Sequence, residues 1–331
     1  MTDAFRMYTA KYPISIAPMM DWTDRHYRYF MRLITKKTLL YTEMITCNAI
    51  LRGNRDKLLH FSPEESPLVL QLGGDKPDDM AECTKIAASE GYTGVNINVG
   101  CPSDRVQNGN FGACLMATPE LVAECFAEMQ QAASIPVTIK SRIGIDGKET
   151  YEDLHEFVRI NAAAGCQHFI VHARIAILQG LSPAENRKIP PLRYEDVYQL
   201  KKDFPHLQIE LNGGIREVAF AREALQQVDS VMIGRAAYEN PFLFHEVDSM
   251  FFGENPRAIT RAGVLEALIP YIQQHTRQGG KINQILRHTM GLFHGVPGAK
   301  QFKRYLSENM YRSGADAQLV KSFLQEYCAQ V

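Results

Sequence analysis

Eight short apolar segments rich in β-branched residues recur along the first 233 residues, and segments of helical periodicity separate them. The predicted strands are Ile14–Ala17, Leu39–Thr42, Leu68–Leu72, Gly94–Asn98, Val137–Arg142, His168–His172, Gln208–Asn212 and Ser230–Ile233. The clearest helical segments are Pro77–Ser89, Pro119–Ala133, Tyr151–Ala164 and Val218–Gln227. Eight strand–helix repeats over about 240 residues match an α/β fold of the (β/α)8 TIM barrel type in number and length.

A doubly wound open sheet is the alternative fold for alternating strands and helices. Its nucleotide-binding forms carry a G-x-G-x-x-G motif after the first strand or a P-loop lysine. Neither motif occurs in this sequence. We therefore favour the barrel.

The strand pattern stops after Ile233, and Phe252–Pro256 is the predicted domain boundary. Four further helices are predicted beyond it, at Ala262–Gln278, Lys281–Met290, Lys300–Asn309 and Ala315–Tyr327. Glycine-containing breaks separate them. The sequence thus predicts a barrel domain over residues 1–251 and a C-terminal all-helical domain over residues 252–331.

Charge is distributed unevenly between these two parts. Residues 256–331 contain ten Lys and Arg against four Asp and Glu, whereas the other 255 residues contain 26 against 33. A basic segment on an acidic body is typical of a protein whose C-terminal part meets an anionic partner. A solvated helical tail explains the same charges equally well.

Neither a membrane nor a metal is indicated by the composition. No apolar run approaches the roughly 18 residues that span a bilayer, and Met1–Tyr12 lacks the apolar core of a secretion signal. The seven cysteines form no C-x-x-C pair, so we expect reduced thiols without a disulfide framework or a zinc site. We expect a cytoplasmic protein with no obligate protein partner.

Polar residues occupy the predicted carboxyl ends of the strands, where barrels of this type build their active sites. They are Pro18, Met19 and Met20 with the side chains of Glu43, Gln71, Asn98, Lys140, His172, Asn212 and Arg235. Each taken singly could be a solvated strand end. All eight strand ends together, seven of them with a polar or charged side chain, indicate a binding site.

The last two strands end in the motifs Asn212-Gly213-Gly214 and Gly234-Arg235. Loops in these positions commonly bind phosphate, because glycines let backbone N–H groups approach the oxygens and arginine adds a charged donor. A pair of tight turns is the alternative. We favour a phosphorylated ligand or cofactor.

Lys140 and Arg142 alternate on one strand, so both side chains face the same way. If the phosphate belongs to FMN, Lys140 is suited to the N1–O2 edge, where negative charge gathers in the reduced flavin. Gln71 offers a donor and an acceptor to a pyrimidine-like edge. The alternative for Lys140 is a structural ion pair with Glu43.

Cys101 follows the fourth strand in the turn Asn98-Val99-Gly100-Cys101-Pro102. A free thiol is mostly protonated at neutral pH and can serve as a proton donor. Cys83 and Cys125 lie in helical patterns instead and are interpreted as small core residues. Position alone therefore favours Cys101 as the functional cysteine.

The sequence resembles the tRNA-dihydrouridine synthases. The shared motifs, in order over nearly the whole chain, are Ala17-Pro18-Met19, Asn98-x-Gly100-Cys101-Pro102, Lys140-x-Arg142, His172-Ala173-Arg174, Asn212-Gly213-Gly214 and Gly234-Arg235. The segments 21–25 and 179–192 resemble subfamily A, which modifies D-loop uridines at tRNA positions 20 and 20a. Ile175 and Ile177 depart from that subfamily, where a polar and an aromatic residue are usual.

The resemblance implies a role for each matching residue. It assigns FMN binding to Pro18, Met19, Met20, Gln71, Lys140, His172, Asn212, Gly213, Gly214, Gly234 and Arg235. It assigns tRNA contacts to Asn98 at the target base and to Asn186, Arg187, Lys300, Lys303 and Arg304. It implies that NADPH supplies the electrons, that hydride passes from flavin N5 to C6 of a uracil taken out of its stack, and that Cys101 protonates C5.

Two other functions compete with this one. A flavin barrel acting on a free pyrimidine, like the dihydroorotate dehydrogenases, shares FMN and a strand-end lysine but gives no reason for the basic C-terminal segment. A noncatalytic RNA-binding protein explains the charges but leaves Cys101, Lys140 and the phosphate loops unused. Turnover of a free pyrimidine would favour the first, and absence of flavin the second.

Overall fold

The computed structural model describes residues 11–107 and 109–328, and its eight strands are parallel. They are β1 Ile14–Ile16, β2 Leu40–Thr46, β3 Leu68–Gly73, β4 Gly94–Val99, β5 Val137–Arg142, β6 His168–His172, β7 Gln208–Asn212 and β8 Ser230–Ile233. Their order is β1-β8-β7-β6-β5-β4-β3-β2, and a parallel bridge between Ser15 and Leu39 closes the sheet on itself. The predicted TIM barrel is confirmed.

Helices connect successive strands on the outside of the barrel. They are α1 Arg25–Ile34, α2 Cys47–Arg52, α3 Arg55–Leu59, α4 Pro77–Ser89, α5 Asp104–Gln107, α6 Pro119–Ala132, α7 Tyr151–Ala163, α8 Tyr194–Asp203 and α9 Val218–Ala224. Short 3-10 turns lie at Pro63–Glu65, Gly112–Ala117 and Glu185–Arg187. Helix starts follow local chemistry: proline opens α4 and α6, and Thr150 with Asp153 forms a capping box on α7.

After β8 the described residues contain helices and turns but no strand. These elements are α10 Arg235–Glu239, α11 Val247–Phe252, α12 Arg261–Arg277, α13 Asn283–Leu286, α14 Ala299–Asn309 and α15 Gln318–Phe323. Turns of 3-10 type at Pro241–Phe244 and Arg287–Thr289, and a π-helical turn at Leu324–Cys328, complete them. The predicted helix at 281–290 is therefore shorter and ends in a 3-10 turn.

The C-terminal helices share one hydrophobic core with the barrel helices. Leu265, Leu268 and Ile272 of α12 are buried in the same cluster as Tyr27 and Phe30 of α1. The division at residues 251 and 252 thus stays a prediction that the packing does not test. Residues 1–10 and 329–331 of the predicted domains lie outside the described residues, as does most of the Met1–Tyr12 segment.

The two faces of each strand differ in chemistry. On β5, Val137 and Ile139 belong to the main core under the helices, while Thr138 and Lys140 face the barrel interior. Hydrogen bonds run across that interior: Gln71 Nε2 donates to Asn96 Oδ1 at 2.8 Å, and Asn96 Nδ2 donates to Thr138 Oγ1 at 2.8 Å. These bonds form a polar network inside the barrel that reaches up to the carboxyl ends of the strands, next to a small apolar cluster that is also inside.

No described helix is both long and apolar enough to cross a bilayer. The described residues also contain no group of three or more His, Cys, Asp or Glu side chains arranged to hold a metal ion. Six free cysteines are described; Cys101 and Cys114 are half-buried, and the buried ones are Cys47, Cys83, Cys125 and Cys166.

Candidate active site at the barrel mouth

A cleft of about 1690 Å³ opens at the carboxyl ends of the strands. Residues at or just after the carboxyl ends of all eight strands line it, as expected for the active end of a (β/α)8 barrel. The predicted site residues brought together here are Pro18, Met19, Met20, Gln71, Asn98, Cys101, Lys140, His172, Arg187, Asn212, Gly213, Gly214, Gly234 and Arg235. The cleft is thus the candidate active site.

The cleft is cationic although the chain as a whole has a net charge of −1. Its lining contains eleven Lys and Arg residues and six Asp and Glu residues. Such a concave surface concentrates anions. The basic residues of the lining come from distant parts of the chain, so no local sequence pattern reveals this concentration.

Lys140 extends from the end of β5 into the cleft. Its Nζ donates to Asn212 Oδ1 at 3.1 Å, while Glu43 accepts a hydrogen bond from the backbone N–H of Asp21 at 2.5 Å. The alternative of a Lys140–Glu43 ion pair is therefore not what the structure contains. Burial, together with repulsion from Arg142, lowers the pKa of Lys140 to about 8. The ammonium is available to an electron-rich ligand.

His172 lies among cations at the end of β6. Burial lowers its pKa well below the ordinary value, and repulsion from Arg142, Lys140 and Arg174 adds to that effect. The ring is neutral at physiological pH. Its Nδ1 is buried and has no hydrogen-bond partner in the described residues. A neutral imidazole with an unused ring nitrogen fits a position beside a polar ligand.

The glycines after β7 form a cradle that only glycine can build. Gly213 and Gly214 have φ angles of 116° and 69°. A Cβ on Gly214 would lie 2.4 Å from Leu192 Cδ1 and 3.1 Å from the hydroxyl oxygen of Tyr194. After the neighbouring strand β8, Arg235 Nη2 donates to the carbonyl oxygen of Arg187 at 3.1 Å. Close backbone approach beside arginine fits the predicted phosphate site.

Cys101 is held in a turn that the side chain of Asn98 organises. Asn98 Oδ1 accepts hydrogen bonds from the backbone N–H groups of Gly100 at 3.1 Å and Cys101 at 3.0 Å. Arg142 Nε donates to the Gly100 carbonyl at 3.1 Å, and the Cys101 carbonyl accepts from Ala113 at 2.9 Å. The backbone that carries the Cys101 side chain is therefore held in place. The thiol itself is half-buried, and its Sγ lies 3.5 Å from Ser103 Oγ.

The amides of Gln71 and Asn98 are already joined. Asn98 Nδ2 donates to Gln71 Oε1 at 2.9 Å, and only 8% of Asn98 is exposed. One N–H of Asn98 and one of Gln71 have no partner among the described residues. A contact between Asn98 and the target base thus stays a prediction. The N–H of the Asn98 amide that has no partner is the group that could make it.

Asn186 does not lie where a nucleic acid could reach it. It is fully buried; its Oδ1 accepts from the N–H of Ile177 at 2.8 Å, and its Nδ2 donates to the carbonyl oxygens of Ile177 at 2.8 Å and Leu181 at 3.1 Å. The predicted tRNA contact for Asn186 is therefore corrected. Its side chain shapes the loop after β6, and its neighbour Arg187 is the exposed residue on the cleft wall.

Arg142 is a structural organiser that the sequence did not identify. Besides Gly100, its guanidinium donates to the carbonyl oxygens of Asn186 at 3.1 Å and Ile175 at 3.3 Å. The residue is 5% exposed, and burial lowers its pKa to about 10. One buried cation thereby connects the Cys101 turn to the loop after β6.

The predicted tRNA-binding cations of the C-terminal part lie on one helix, outside the cleft lining. Lys300, Lys303 and Arg304 are exposed on α14, and Arg304 pairs with Glu308 at 2.7 Å. None of them lines the cleft. Their predicted role requires a ligand that extends from the cleft to α14.

Asp24 connects the loop after β1 to the C-terminal helices. Its carboxylate accepts from the backbone N–H groups of His26 and Tyr27, which caps α1. It also pairs with Arg287 at 2.6 Å and with His288 at 3.0 Å. Burial alone would raise the pKa of Asp24, but these hydrogen bonds outweigh it and hold the pKa well below its usual range.

Asp24→Asn is expected to destabilise the protein by about 1.5–3 kcal/mol near neutral pH, because asparagine keeps the cap but loses the charged pairing. The native pKa is depressed, so the stabilisation is present above the unfolded pKa of about 3.9 and is lost as the pH falls below it. Urea unfolding of both proteins near neutral pH and at about pH 2.5, which lies below the unfolded pKa, checks this. The difference should shrink in acid; a constant difference would contradict the charged pairing.

Known proteins resemble this chain over nearly its whole length. A family model described as dihydrouridine synthase (Dus) matches residues 15–328. A tRNA-dihydrouridine(20/20a) synthase of Synechocystis sp. is 58% identical over 313 residues, which are 95% of this chain and 94% of that protein. Proteins of the same name from Shewanella oneidensis and Escherichia coli are 56% and 52% identical, over 93% and 94% of this chain and 91% and 90% of their own lengths.

Proposed function

The chain belongs to the dihydrouridine synthase family of flavin-dependent oxidoreductases, and on that premise we propose that it reduces D-loop uridines of tRNA at positions 20 and 20a. The proposed cofactor is FMN and the proposed electron donor is NADPH. The observation that carries the proposal is the meeting of Cys101, Lys140 and the Gly213–Gly214 cradle in one cationic cleft. From its proposed substrate we infer that the enzyme works in the cytoplasm.

The cleft residues fit FMN. The glycine cradle and Arg235 suit a phosphate, Lys140 suits an electron-rich ring edge, and the unused Nδ1 of His172 accounts for one more polar contact. When bound, FMN supplies the hydride that reduction of a C5=C6 bond requires. Pro18, Met19, Met20, Gln71, Asn212 and Gly234 complete the proposed flavin-binding set.

The chain's own residues supply the proton and the orientation. Cys101 donates its thiol proton to C5 of the uracil, so that one hydride at C6 and one proton at C5 complete the reduction. Asn98 and Arg142 hold the backbone of the Cys101 turn, which fixes the direction of that donation. Lys140 stabilises negative charge at the ring edge with a cation that is already desolvated.

A polyanionic substrate agrees with the charges on the surface. Arg187 lines the cationic cleft, and Lys300 and Lys303 are exposed on α14 without an ion pair among the described residues. A structured RNA is long enough to contact both regions, whereas a free pyrimidine is not. This extent favours tRNA over a free base as the substrate.

FMN affinity is expected to depend on the protonation of Lys140. The pKa of Lys140 is about 8 in the free protein. An electron-rich partner stabilises the ammonium form, so above pH 8 the binding of FMN is accompanied by protonation of Lys140. We expect affinity to be flat from about pH 7 to 8 and to fall by up to tenfold for each further pH unit. Ionisation of the phosphate, near pH 6, is complete below this window.

Quenching of flavin fluorescence, titrated at a series of pH values, measures this dependence. Lys140→Met should weaken binding and abolish the slope above pH 8. A slope that survives unchanged in Lys140→Met would assign the titration to another group and remove Lys140 from the ring edge.

The test of the proposed function is incubation of the purified chain with unmodified tRNA and NADPH, with dihydrouridine mapped by position. Product at positions 20 and 20a from a yellow, flavin-loaded protein is expected. Product at another position would keep the chemistry and overturn the assigned specificity. Turnover of free uracil or orotate without tRNA product would favour the free-pyrimidine enzyme, and a protein that binds no flavin would favour a noncatalytic RNA-binding role.

A further inference from the structure

The loop after β1 presents an apolar and aromatic edge to the cleft. Met20 is 52% exposed, and it is the only large exposed hydrophobic residue of the described chain that lines the cleft. Trp22, the single tryptophan of the sequence, is half-buried and lines the cleft beside it. We call Trp22, Arg25 and Arg287 the β1 lip, whereas Met20 belongs to the proposed flavin-binding set.

Trp22 is fixed in place from behind. Its ring stacks on Tyr238 with centroids 4.3 Å apart and planes 11° apart, and Tyr238 is not part of the cleft lining. The Tyr238 hydroxyl is 3.1 Å from His288 Nδ1, which ties the stack to the C-terminal helices. One face of the indole is therefore used by the protein, and the remainder borders the cleft.

The loop that carries Trp22 is restrained at each end. The backbone N–H groups of Trp22 and Thr23 donate to the Met19 carbonyl at 3.1 and 2.9 Å. Asp21, which directly precedes Trp22, has a φ of 65°, which is uncommon for a residue other than glycine, and its backbone N–H donates to Glu43. An aromatic ring held this firmly loses little entropy when a second ring stacks on it.

We propose that the β1 lip binds a nucleobase adjacent to the reduced uridine, with Trp22 as its stacking platform. This inference rests on the proposed function. When the target base leaves its stack to enter the cleft, its neighbour loses a stacking partner. Proteins that bind single-stranded nucleic acid replace such partners with aromatic rings beside cations.

Charge supports a nucleotide as the occupant of the lip. Arg25 is exposed, lines the cleft, and has no ion pair or side-chain hydrogen bond among the described residues. Arg287 is held by Asp24 while its side chain stays 41% exposed. Two guanidinium groups and an indole that line the same cleft suit a base together with its phosphates. The other lining cations make an RNA the complementary polymer.

Trp22→Leu, tested as the flavin-loaded enzyme, is expected to weaken tRNA binding roughly 5- to 150-fold, from ~1–3 kcal/mol per stacked base. NADPH oxidation by oxygen should be unchanged. Trp22→Phe should recover part of the loss because phenylalanine can keep both stacks. Tyr198→Leu is the matched control: Tyr198 is a half-buried aromatic residue of α8 with Tyr194 as its ring neighbour, and it lies outside the cleft lining, so its loss should not change tRNA binding.

Abasic RNA tests the contact without altering the protein. Two tRNA transcripts are compared, one without the base 5′ of the target uridine and one without the base 3′ of it. The wild-type enzyme should bind one of these transcripts as weakly as Trp22→Leu binds intact tRNA. Trp22→Leu should bind that transcript no more weakly than it binds intact tRNA, because the substitution and the missing base remove the same interaction. Additive losses at both positions would overturn the proposal.

Other outcomes separate this inference from the proposed function. If the wild-type enzyme forms dihydrouridine but Trp22→Leu and Trp22→Phe bind tRNA normally, the lip is overturned and the function stands. If Trp22→Leu raises the KM for NADPH instead, the platform belongs to the dinucleotide and the proposal is wrong. If the wild-type enzyme reduces no uridine in tRNA, the proposed function itself fails.

Discussion

Cys101→Ala is expected to reduce dihydrouridine formation by roughly 10²–10⁴-fold, the usual contribution of a positioned general acid. FMN binding and the oxidation of NADPH by oxygen should remain, because neither needs a proton at C5. The thiol is half-buried at the cleft, and its backbone is held by Asn98 and Arg142 rather than by its own side chain. Alanine should therefore leave the turn intact. Single-turnover reduction of tRNA, started from the reduced enzyme, measures the effect.

Cys114→Ala is the matched control for this substitution. Cys114 is the other half-buried cysteine that the structure describes, and its Sγ is 3.1 Å from the Phe111 carbonyl, outside the cleft lining. We expect near-normal tRNA reduction in this variant. Undiminished reduction in Cys101→Ala would remove the cysteine from the reaction, and equal losses in both variants would indicate a structural effect.

Gly214→Val is expected to remove most bound flavin and to destabilise the protein by about 2–6 kcal/mol. A branched side chain at a φ of 69° costs about 1–3 kcal/mol in backbone strain. Its Cβ would also lie within 2.4 Å of Leu192 Cδ1, and overpacking of that kind costs about 1–3 kcal/mol more. Relief of the clash has to move the cradle. Flavin content per chain and the Tm of the purified variant measure both effects.

Gly147→Val separates strain from the loss of the cradle. Gly147 has a similar φ of 77°, nothing within 4 Å of the point that a Cβ would occupy, and no place in the cleft lining. It should lower the Tm through strain alone and keep its flavin. Full flavin content in Gly214→Val, at a Tm no lower than that of Gly147→Val, would show that the cradle is not part of the cofactor site.

The barrel was predictable because its signal is local and repeated. The strands at 137–142, 168–172, 208–212 and 230–233 have the predicted bounds, and β2 alone runs four residues further, to Thr46. β-branched runs between turn residues leave few other structures open. The last helices were predicted less well, since the chain tightens at Arg287–Thr289 into a 3-10 turn that helical periodicity cannot reveal.

The motifs also predicted the family, which the comparisons confirm, and a common location for the strand-end residues. They could not predict burial. Asn186 and Arg187 are neighbours in sequence, yet one is fully buried and the other exposed on the cleft wall. Nor could they predict that Asp24 pairs with Arg287, because that contact joins residues 263 positions apart. Distant pairings depend on the folded path, which a single sequence does not display.

The polar interior of the barrel has a consequence for how the sequence can change over time. Gln71, Asn96 and Thr138 depend on one another's hydrogen bonds, so replacing one of them leaves its neighbours unsatisfied in a buried place. Leu70 and Ile139, on the outer faces of the same strands, only fill space and can be exchanged for other aliphatic residues. Evolutionary variation should therefore alternate along these strands, with drift at the outer positions and near-invariance at the interior positions that share hydrogen bonds.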